Sequence, residues 1–319
     1  MANFAGGTGT KEDPYLISNR EELNMVREYL SDYFKQINDI DLDGEPWLPI
    51  GFIEGSPSEN FIGGYDGGGY SITNMENDYS NEGVDGGGLF YQIADGAVIK
   101  NIIFKNIRLR SYGDSIGIIA SVSSGNILPQ IKNISAENIE VRSDNYIAGG
   151  LIGIAWSGNF EQCHISFGEI EGSIVGGIAG QVWGWGEEDE KVSLCSSKGN
   201  ITGSEYAGGI IGEGSAIIND CFSKAIVSAP WSGGLCSGYE GQSIKNSYFA
   251  GVLNQGATEV APIALDLGAA SNFIIDCYYD EEKIGVAKEN LILNGANSKT
   301  TEEMKQIETF ENWDIGEVK

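Results

Sequence analysis

The chain has 319 residues, of which 46 are glycine and 41% are apolar, and its formal charge is −27. That apolar content excludes a disordered chain, and glycine enrichment without a triplet period excludes collagen. A surface this acidic repels phosphate backbones and anionic lipid, so no nucleic-acid partner is expected. No apolar run approaches the roughly 20 residues that cross a bilayer, so no membrane insertion is expected either.

The first residues, Met1-Ala2-Asn3-Phe4-Ala5-Gly6-Gly7, have neither the basic nor the apolar region of a secretory signal. Residues 1–50 read as an N-terminal cap. Ser18-Asn19-Arg20-Glu21 is a capping box, and Leu23, Val26 and Leu30 follow at helical spacing. Asp39-Ile40-Asp41-Leu42-Asp43-Gly44 imitates the opening of a calcium loop. The twelfth position, which needs a bidentate glutamate, is Ile50. The alternation with Ile40 and Leu42 makes this a half-buried strand, and any Ca2+ held there would be adventitious. The glycine clusters beside Asp66 and Asp85 are turn chemistry.

Residues 51–285 are organised by a repeat. A Gly-Gly-aliphatic signature recurs at Gly87-Gly88-Leu89, Ile116-Gly117-Ile118, Gly149-Gly150-Leu151, Gly176-Gly177-Ile178, Gly208-Gly209-Ile210 and Gly233-Gly234-Leu235, with a worn copy at Ala261-Pro262-Ile263. The mean period is about 29 residues, within the range of stacked-repeat architectures. Two positions after the aliphatic residue stands something small, as in Ala120, Gly153, Gly180, Gly212 and Ser237. A second column runs through Ile99-Lys100-Asn101-Ile102, Ile131-Lys132-Asn133-Ile134 and Ile244-Lys245-Asn246-Ser247, and its register continues through Cys163, Cys195, Cys221 and Cys277.

The segments between breakers are short, β-branched and alternating, which disfavours a helical solenoid. One such repeat cannot bury its apolar face alone, but stacked repeats can. The expected architecture is an all-β, right-handed parallel β-helix with short helical caps at both ends. The hand follows the general crossover preference. Residues 286–319 read as the C-terminal cap: Thr300-Thr301-Glu302-Glu303 is a second capping box, backed by Met304, Ile307 and Phe310, with Trp313 packed alongside.

Certain of these motifs resemble the GLUG-motif family of β-helical repeat proteins. They are Gly6-Gly7-Thr8-Gly9-Thr10, Asp13-Pro14-Tyr15-Leu16-Ile17, Trp47-Leu48-Pro49-Ile50-Gly51, Phe61-Ile62-Gly63-Gly64-Tyr65-Asp66-Gly67 and the closing Trp313-Asp314. The resemblance implies a β-helix and a setting among bacterial surface proteins, adhesin-like proteins or phage tail components. It supplies no catalytic residues. With no leader visible, the first expectation is a non-catalytic receptor-binding or structural module on a tail-like particle, recognising bacterial surface glycan. Its partners would be a surface glycan or protein, other particle components and further copies of itself, such as a homotrimer. A secreted adhesin and a polysaccharide depolymerase are the alternatives.

Chemistry-bearing residues are sparse. His164 is the sole histidine, and on a strand its neighbour Cys163 points to the opposite face, so the two cannot easily meet. The cysteines are expected to be free apolar fillers, because stacked strands about 4.8 Å apart suit disulfide geometry poorly. No metal-ligand spacing is present. The distinctive surface candidates are aromatic. Trp156 and Trp183 each lie six residues past the second glycine of a repeat and should stack on adjacent turns. Trp185, Glu187 and Asp189 follow in an acidic loop, and Tyr239 falls near the same edge. Such aromatic faces beside carboxylates suit sugars. A basic cluster, Lys100, Lys105, Arg108, Arg110, Lys132 and Arg142, is the only foothold for a lyase, and Asp114, Glu137, Glu140 and Asp144 offer it ordinary ion pairs.

Overall fold

The computed structural model describes residues 4–54, 57–78, 86–184, 190–240, 243–254, 256–266, 274–310 and 313. Its strands form a 25-stranded sheet and a seven-stranded sheet, paired in parallel from one coil to the next. This is a right-handed parallel β-helix of about seven turns. Register carries Ile99 onto Ile131, Ile131 onto Phe160 and Ser196 onto Phe222. These steps differ in length, so coils of unequal size keep one ladder.

The second sequence column has a backbone cause. Asn101, Asn133, Gln162, Leu194, Asp220, Asn246 and Asp276 all lie at φ between 46° and 57°. A left-handed residue at this corner of each coil inserts an extra position into the strand, so two consecutive side chains face out and alternation then restarts. In the strand Val98–Ser111 the buried residues are accordingly Ile99, then Ile102 and Phe104, then Ile107, Leu109 and Ser111, with the second reset at Asn106. Asparagine suits such a corner because its short side chain tolerates the conformation and bonds locally. Here it bonds along the axis. Asn138 Nδ2 donates to Asn106 Oδ1 at 2.9 Å, Asn106 to Asn74 at 3.3 Å, and Asn74 to the Asp41 carboxylate at 2.8 Å. A parallel ladder runs from Asn133 to Asn101 to Asp66, each step 2.8 Å.

The residue after each corner points inward and forms a core column of Ile102, Ile134, Cys163, Cys195, Cys221, Ser247 and Cys277. All five cysteines are free and buried, as small apolar fillers. The Gly-Gly column has a different cause, namely contact. A Cβ on Gly176 would lie 1.9 Å from the Ala179 carbonyl oxygen, and one on Gly177 would lie 2.2 Å from the Gly209 oxygen of the next coil. The small position downstream is equally confined: a Cβ on Gly212 would meet the Gly180 oxygen at 2.5 Å and the Val175 backbone at 2.9 Å. Two strand layers press backbone to backbone here, and no side chain fits between them.

The caps differ from expectation in detail. A helix spans Arg20–Met25, and its N-cap is Asn19, not Ser18. Asn19 Oδ1 accepts from the Glu22 amide at 2.9 Å, and the Ser18 amide and hydroxyl both donate to the Glu22 carboxylate. The box is displaced by one residue because Glu22, not Glu21, is the acid tucked against the coil. Leu30 lies beyond the helix, which closes in a 3-10 turn at Val26–Glu28. At the other end the Thr300–Glu303 box forms, with Glu303 accepting from the Thr300 amide and hydroxyl. The expected helix is replaced by 3-10 turns at Glu303–Lys305 and Ile307–Phe310, neither with a buried residue. Ile307 is 68% exposed, so no apolar face holds a longer helix in place. Phe310 and Trp313 instead pack on the outer rings of Tyr248 and Tyr278, and Trp313 Nε1 donates to the Asp276 carbonyl at 3.1 Å.

Candidate recognition surfaces

The aromatic edge lies at the end of the narrow sheet. Ala155 pairs with Val182 and Val182 with Gly214, so Trp156, Trp183 and Ser215 follow in register, one per coil. The Trp183 amide donates to the Ala155 carbonyl at 2.8 Å, and the Trp156 amide to the Ser123 carbonyl at 2.8 Å. Trp156 is 37% exposed and Trp183 is half-buried. The two tryptophans thus occupy neighbouring turns at the surface, as their spacing predicted. Tyr239 pairs with Gly214, which aligns it with Ala155 and Val182, one position short of the tryptophans. Glu240 is the residue in line with them, its amide donating to the Gly214 carbonyl. Trp185, Glu187 and Asp189 lie outside the described residues, as does the Asp85 turn.

Beside this edge Glu213 is half-buried and takes a hydrogen bond from Gln181 Nε2. Burial, reinforced by Glu240 and Glu205, raises its carboxyl above the ordinary glutamate range. Sequence reasoning did not single out Glu213. Its only sequence signal is its position two residues before Ser215, on the rung after Trp183.

The basic cluster occupies the flat face of the wide sheet. Lys100 pairs in register with Lys132 and Arg110 with Arg142, as the repeat predicted. Arg108 Nε meets Glu140 at 2.9 Å and its Nη1 meets Glu76 at 3.3 Å. Arg110 and Arg142 converge on Asp144 at 2.8 and 2.6 Å, and Arg142 also reaches Glu171 at 2.9 Å. Lys100 pairs with Asp66 and Lys132 with Glu161. Glu140 and Asp144 are partners as expected. Asp114 and Glu137 form no ion pair among the described residues, and Glu76, Glu171, Asp66 and Glu161 take those roles. These acids stand a full coil away in sequence from their partners, so only the coil register could reveal them.

Arg108, Arg110 and Arg142, with Glu76, Glu140 and Glu171, floor a groove of about 750 Å3 that runs from the turn at Gly44 and Pro46 to Asn200. Burial acts to raise the Asp144 carboxyl, but hydrogen bonds from Arg142 and Arg110 outweigh it and hold it below the usual range. The same contacts push the guanidinium groups up. Arg108 is raised by its hydrogen bond to Glu140, and Arg110 and Arg142 by theirs to Asp144. A proton-abstracting arginine needs the reverse, a neighbourhood that loosens its proton. The groove is floored by an ion-pair lattice in which Arg108, Arg110 and Arg142 are each held by carboxylates.

The remaining chemical candidates resolve simply. His164 lies on the outer face, its Nδ1 is 2.8 Å from Ser196 Oγ, and desolvation of the ring by its neighbours lowers its pKa. Cys163 is buried on the opposite face. Asp41 accepts from the Asp43 amide and from Asn74, and Asp39 from the Ser71 amide and hydroxyl, so both carboxylates serve turns and ladders. Among the described residues no group of three or more His, Cys, Asp or Glu side chains converges as metal ligands do.

Fold and surfaces together define an open β-solenoid whose side faces, not an enclosed cleft, are available for contact. No family model matches the chain. It is 34% identical over 144 residues to a provisionally named Gly-rich membrane protein of Evansella cellulosilytica, covering 42% of this chain and 16% of that protein. It is 31% identical over 155 residues to Halomucin of Haloquadratum walsbyi, covering 46% of this chain and 2% of that one. The chain therefore spans a small fraction of the relatives it matches. A chain provisionally named as an immunoglobulin A1 protease from Bacteroides ovatus superposes with a TM-score of 0.62 at 20% identity, over 97% of this chain and 90% of the other. A structure named IgA1 Protease gives 0.53 at 17% identity, over 89% of this chain and 21% of that one. At these identities the likeness concerns the fold alone.

Proposed function

We propose that this chain is a non-catalytic recognition and structural module displayed outside the cell, a GLUG-type β-helix that binds surface glycan along its aromatic edge. The observation that carries the reading is the placement of Trp156 and Trp183 on consecutive turns at the solvent boundary. Two rings on adjacent turns offer a sugar chain a pair of stacking surfaces, and the neighbouring carboxylate of Glu213 can accept from its hydroxyls. Several weak contacts along a stiff rod add through avidity. The ion-paired state of Arg108, Arg110 and Arg142 speaks against the lyase alternative.

One relative is provisionally named as a Gly-rich membrane protein and another is named Halomucin, and these names support a cell-borne surface module. A tail-associated receptor-binding protein, alone or as a homotrimer with other particle components, is the same reading in a particle setting.

The test is a panel of bacterial surface polysaccharides scored together for bound protein and for new reducing or unsaturated ends. Binding without cleavage that is lost in Trp156→Ala and Trp183→Ala supports the proposal. Cleavage of any polymer, or binding indifferent to both substitutions, overturns it.

A further inference from the structure

A second aromatic pair stands on the outer face of the wide sheet. Trp231 pairs in register with Tyr206 of the preceding coil, and their rings stack with centroids 5.2 Å apart and planes at 24°. Tyr206 thus occupies one face of the indole. On the other side the next rung is Glu259, which pairs with Trp231. In-register residues of parallel strands project from the same face of the sheet, so the second face of the indole is bordered by a carboxylate and not by a ring. Both rings are half-buried, and Glu259 is exposed.

Further acids surround the pair. The Tyr206 hydroxyl feels the charges of Glu213, Glu205 and Glu259, and Glu213 in turn feels Glu240 and Glu205. Acids are plentiful in a chain that holds 46 of them, so charge alone would mark nothing; the ring marks the place. Elsewhere exposed rings are served by cations of the chain itself: Arg110 lies over Tyr112, Lys224 over Phe222 and Lys299 over Tyr278. Indole is the strongest side-chain partner for a cation. Yet among the described residues no lysine or arginine lies over Trp231, and Tyr206 is the only ring packed on it. The stacked pair Phe222–Tyr248 on the same sheet differs on both counts, with Lys224 over Phe222 and with Phe310 and Trp313 packed on Tyr248. The carboxylates at Trp231 carry a cost as well. Asp66 and Asp144 are lowered by their partners, whereas Glu213 is raised by burial and by its acidic neighbours. A cation seated here relieves that crowding.

We propose that Trp231 binds an ammonium group over its second face, with Glu259 as the direct counter-charge and Glu205 and Glu213 adding to the field. The indole supplies a cation–π contact and the carboxylates supply charge-assisted hydrogen-bond acceptors. The carrier is a surface glycan bearing an amino sugar or a choline substituent. That choice of carrier rests on the glycan-binding reading above, and Glu213 is shared by the two places. Recognition of the ammonium group itself rests on Trp231 and Glu259.

The experiment is calorimetric titration of the full chain at about 150 mM salt, which screens diffuse attraction to an acidic surface. The probes are a glucosamine tetramer, its fully N-acetylated counterpart and choline. Saturable binding of the glucosamine tetramer or of choline is expected, with the neutral acetylated tetramer at least about tenfold weaker, and whichever cation saturates names the source. Trp231→Leu keeps an apolar side chain and removes the ring, so it should weaken binding by about tenfold. Glu259→Gln changes an exposed residue and should weaken it severalfold, whereas Glu12→Gln, the same charge change at a distant exposed site, should leave it unaltered. If Trp231→Leu fails to fold, Glu259→Gln carries the decision. No binding of either cation up to about 10 mM, equal binding of the acetylated tetramer, or binding unchanged in Trp231→Leu or in Glu259→Gln overturns the proposal. Trp156→Ala and Trp183→Ala separate the two readings. Ammonium binding that survives both but is lost in Trp231→Leu upholds this site even if the tryptophan edge binds nothing, and loss only in the edge variants overturns it while leaving the edge reading intact.

Discussion

Asn106 offers a test of why the coil turns where it does. Its φ is 55°, its Oδ1 accepts from Asn138 at 2.9 Å, and its Nδ2 donates to Asn74 at a longer 3.3 Å. Replacing it with alanine removes both bonds and leaves a Cβ-bearing residue in the left-handed region. The bonds are exposed, so together they contribute about 1 kcal/mol, and the backbone strain adds about 1–2 kcal/mol. Asn106→Ala should therefore lower stability by about 2–3 kcal/mol. Asn106→Gly loses the same bonds but relieves the strain, and the added freedom of the unfolded chain returns only part of that gain. The glycine variant should thus lose about 1–2 kcal/mol and remain more stable than the alanine variant. Asn106→Asp, which keeps the acceptor and the left-handed preference, should lose least. Equilibrium urea unfolding gives the order directly. Alanine at least as stable as glycine would refute the left-handed corner as the origin of the asparagine column.

Two further expectations follow from the titratable groups. Asp39, Asp41, Asp66 and Asp144 all have folded pKa values below the ordinary range. Backbone and hydroxyl bonds from Ser71 lower Asp39, and the Asp43 amide lowers Asp41. Burial would raise Asp66 and Asp144, but hydrogen bonds from Asn101 and from the arginines, respectively, prevail. Their contribution to stability is therefore present above the unfolded value near pH 4 and is lost as pH falls through the folded values. Melting temperatures followed down from about pH 6 should fall below about pH 4, and Asp144→Asn should flatten that slope; a slope unchanged by the substitution would deny Asp144 its role. Burial drives the Cys277 thiol up to about 12 and raises Cys195, Cys221 and Cys236 as well. A thiol reagent at about pH 8 should leave all five cysteines unmodified in the native chain and react with five after urea unfolding. Rapid modification of Cys163, Cys195, Cys221 or Cys277 in the native state would contradict the interior column.

The fold was legible because its strictest requirement falls on a residue with no side chain. Where Gly176 and Gly177 meet neighbouring carbonyls, a methyl group would collide, and so the repeat persists in the letters. The asparagine column was equally visible as a period but silent about its cause, since Gln162 and Leu194 occupy the same left-handed corner without the usual chemistry. The ion-pair lattice was half legible. Lys100 and Lys132, or Arg110 and Arg142, can be paired by counting, but Glu76 and Glu171 find their arginines only once coils of unequal length are laid side by side. The N-cap moved by one residue because two adjacent glutamates both satisfy the box, and burial of Glu22 selects between them.

The unequal coils carry a consequence of their own. The ladder uses fewer residues between Ser196 and Phe222 than between His164 and Ser196, yet the paired rungs stay aligned. Slack is therefore stored outside the ladder, and in sequence a run of acids, Glu187-Glu188-Asp189-Glu190, follows shortly after Trp183. A molecule built this way separates what must be inherited unchanged from what is free to be edited. Lengthening or trading a loop at the edge leaves every glycine contact and every inward residue untouched. One scaffold of this kind can acquire new surface preferences by exchanging a few residues, with no renegotiation of its core.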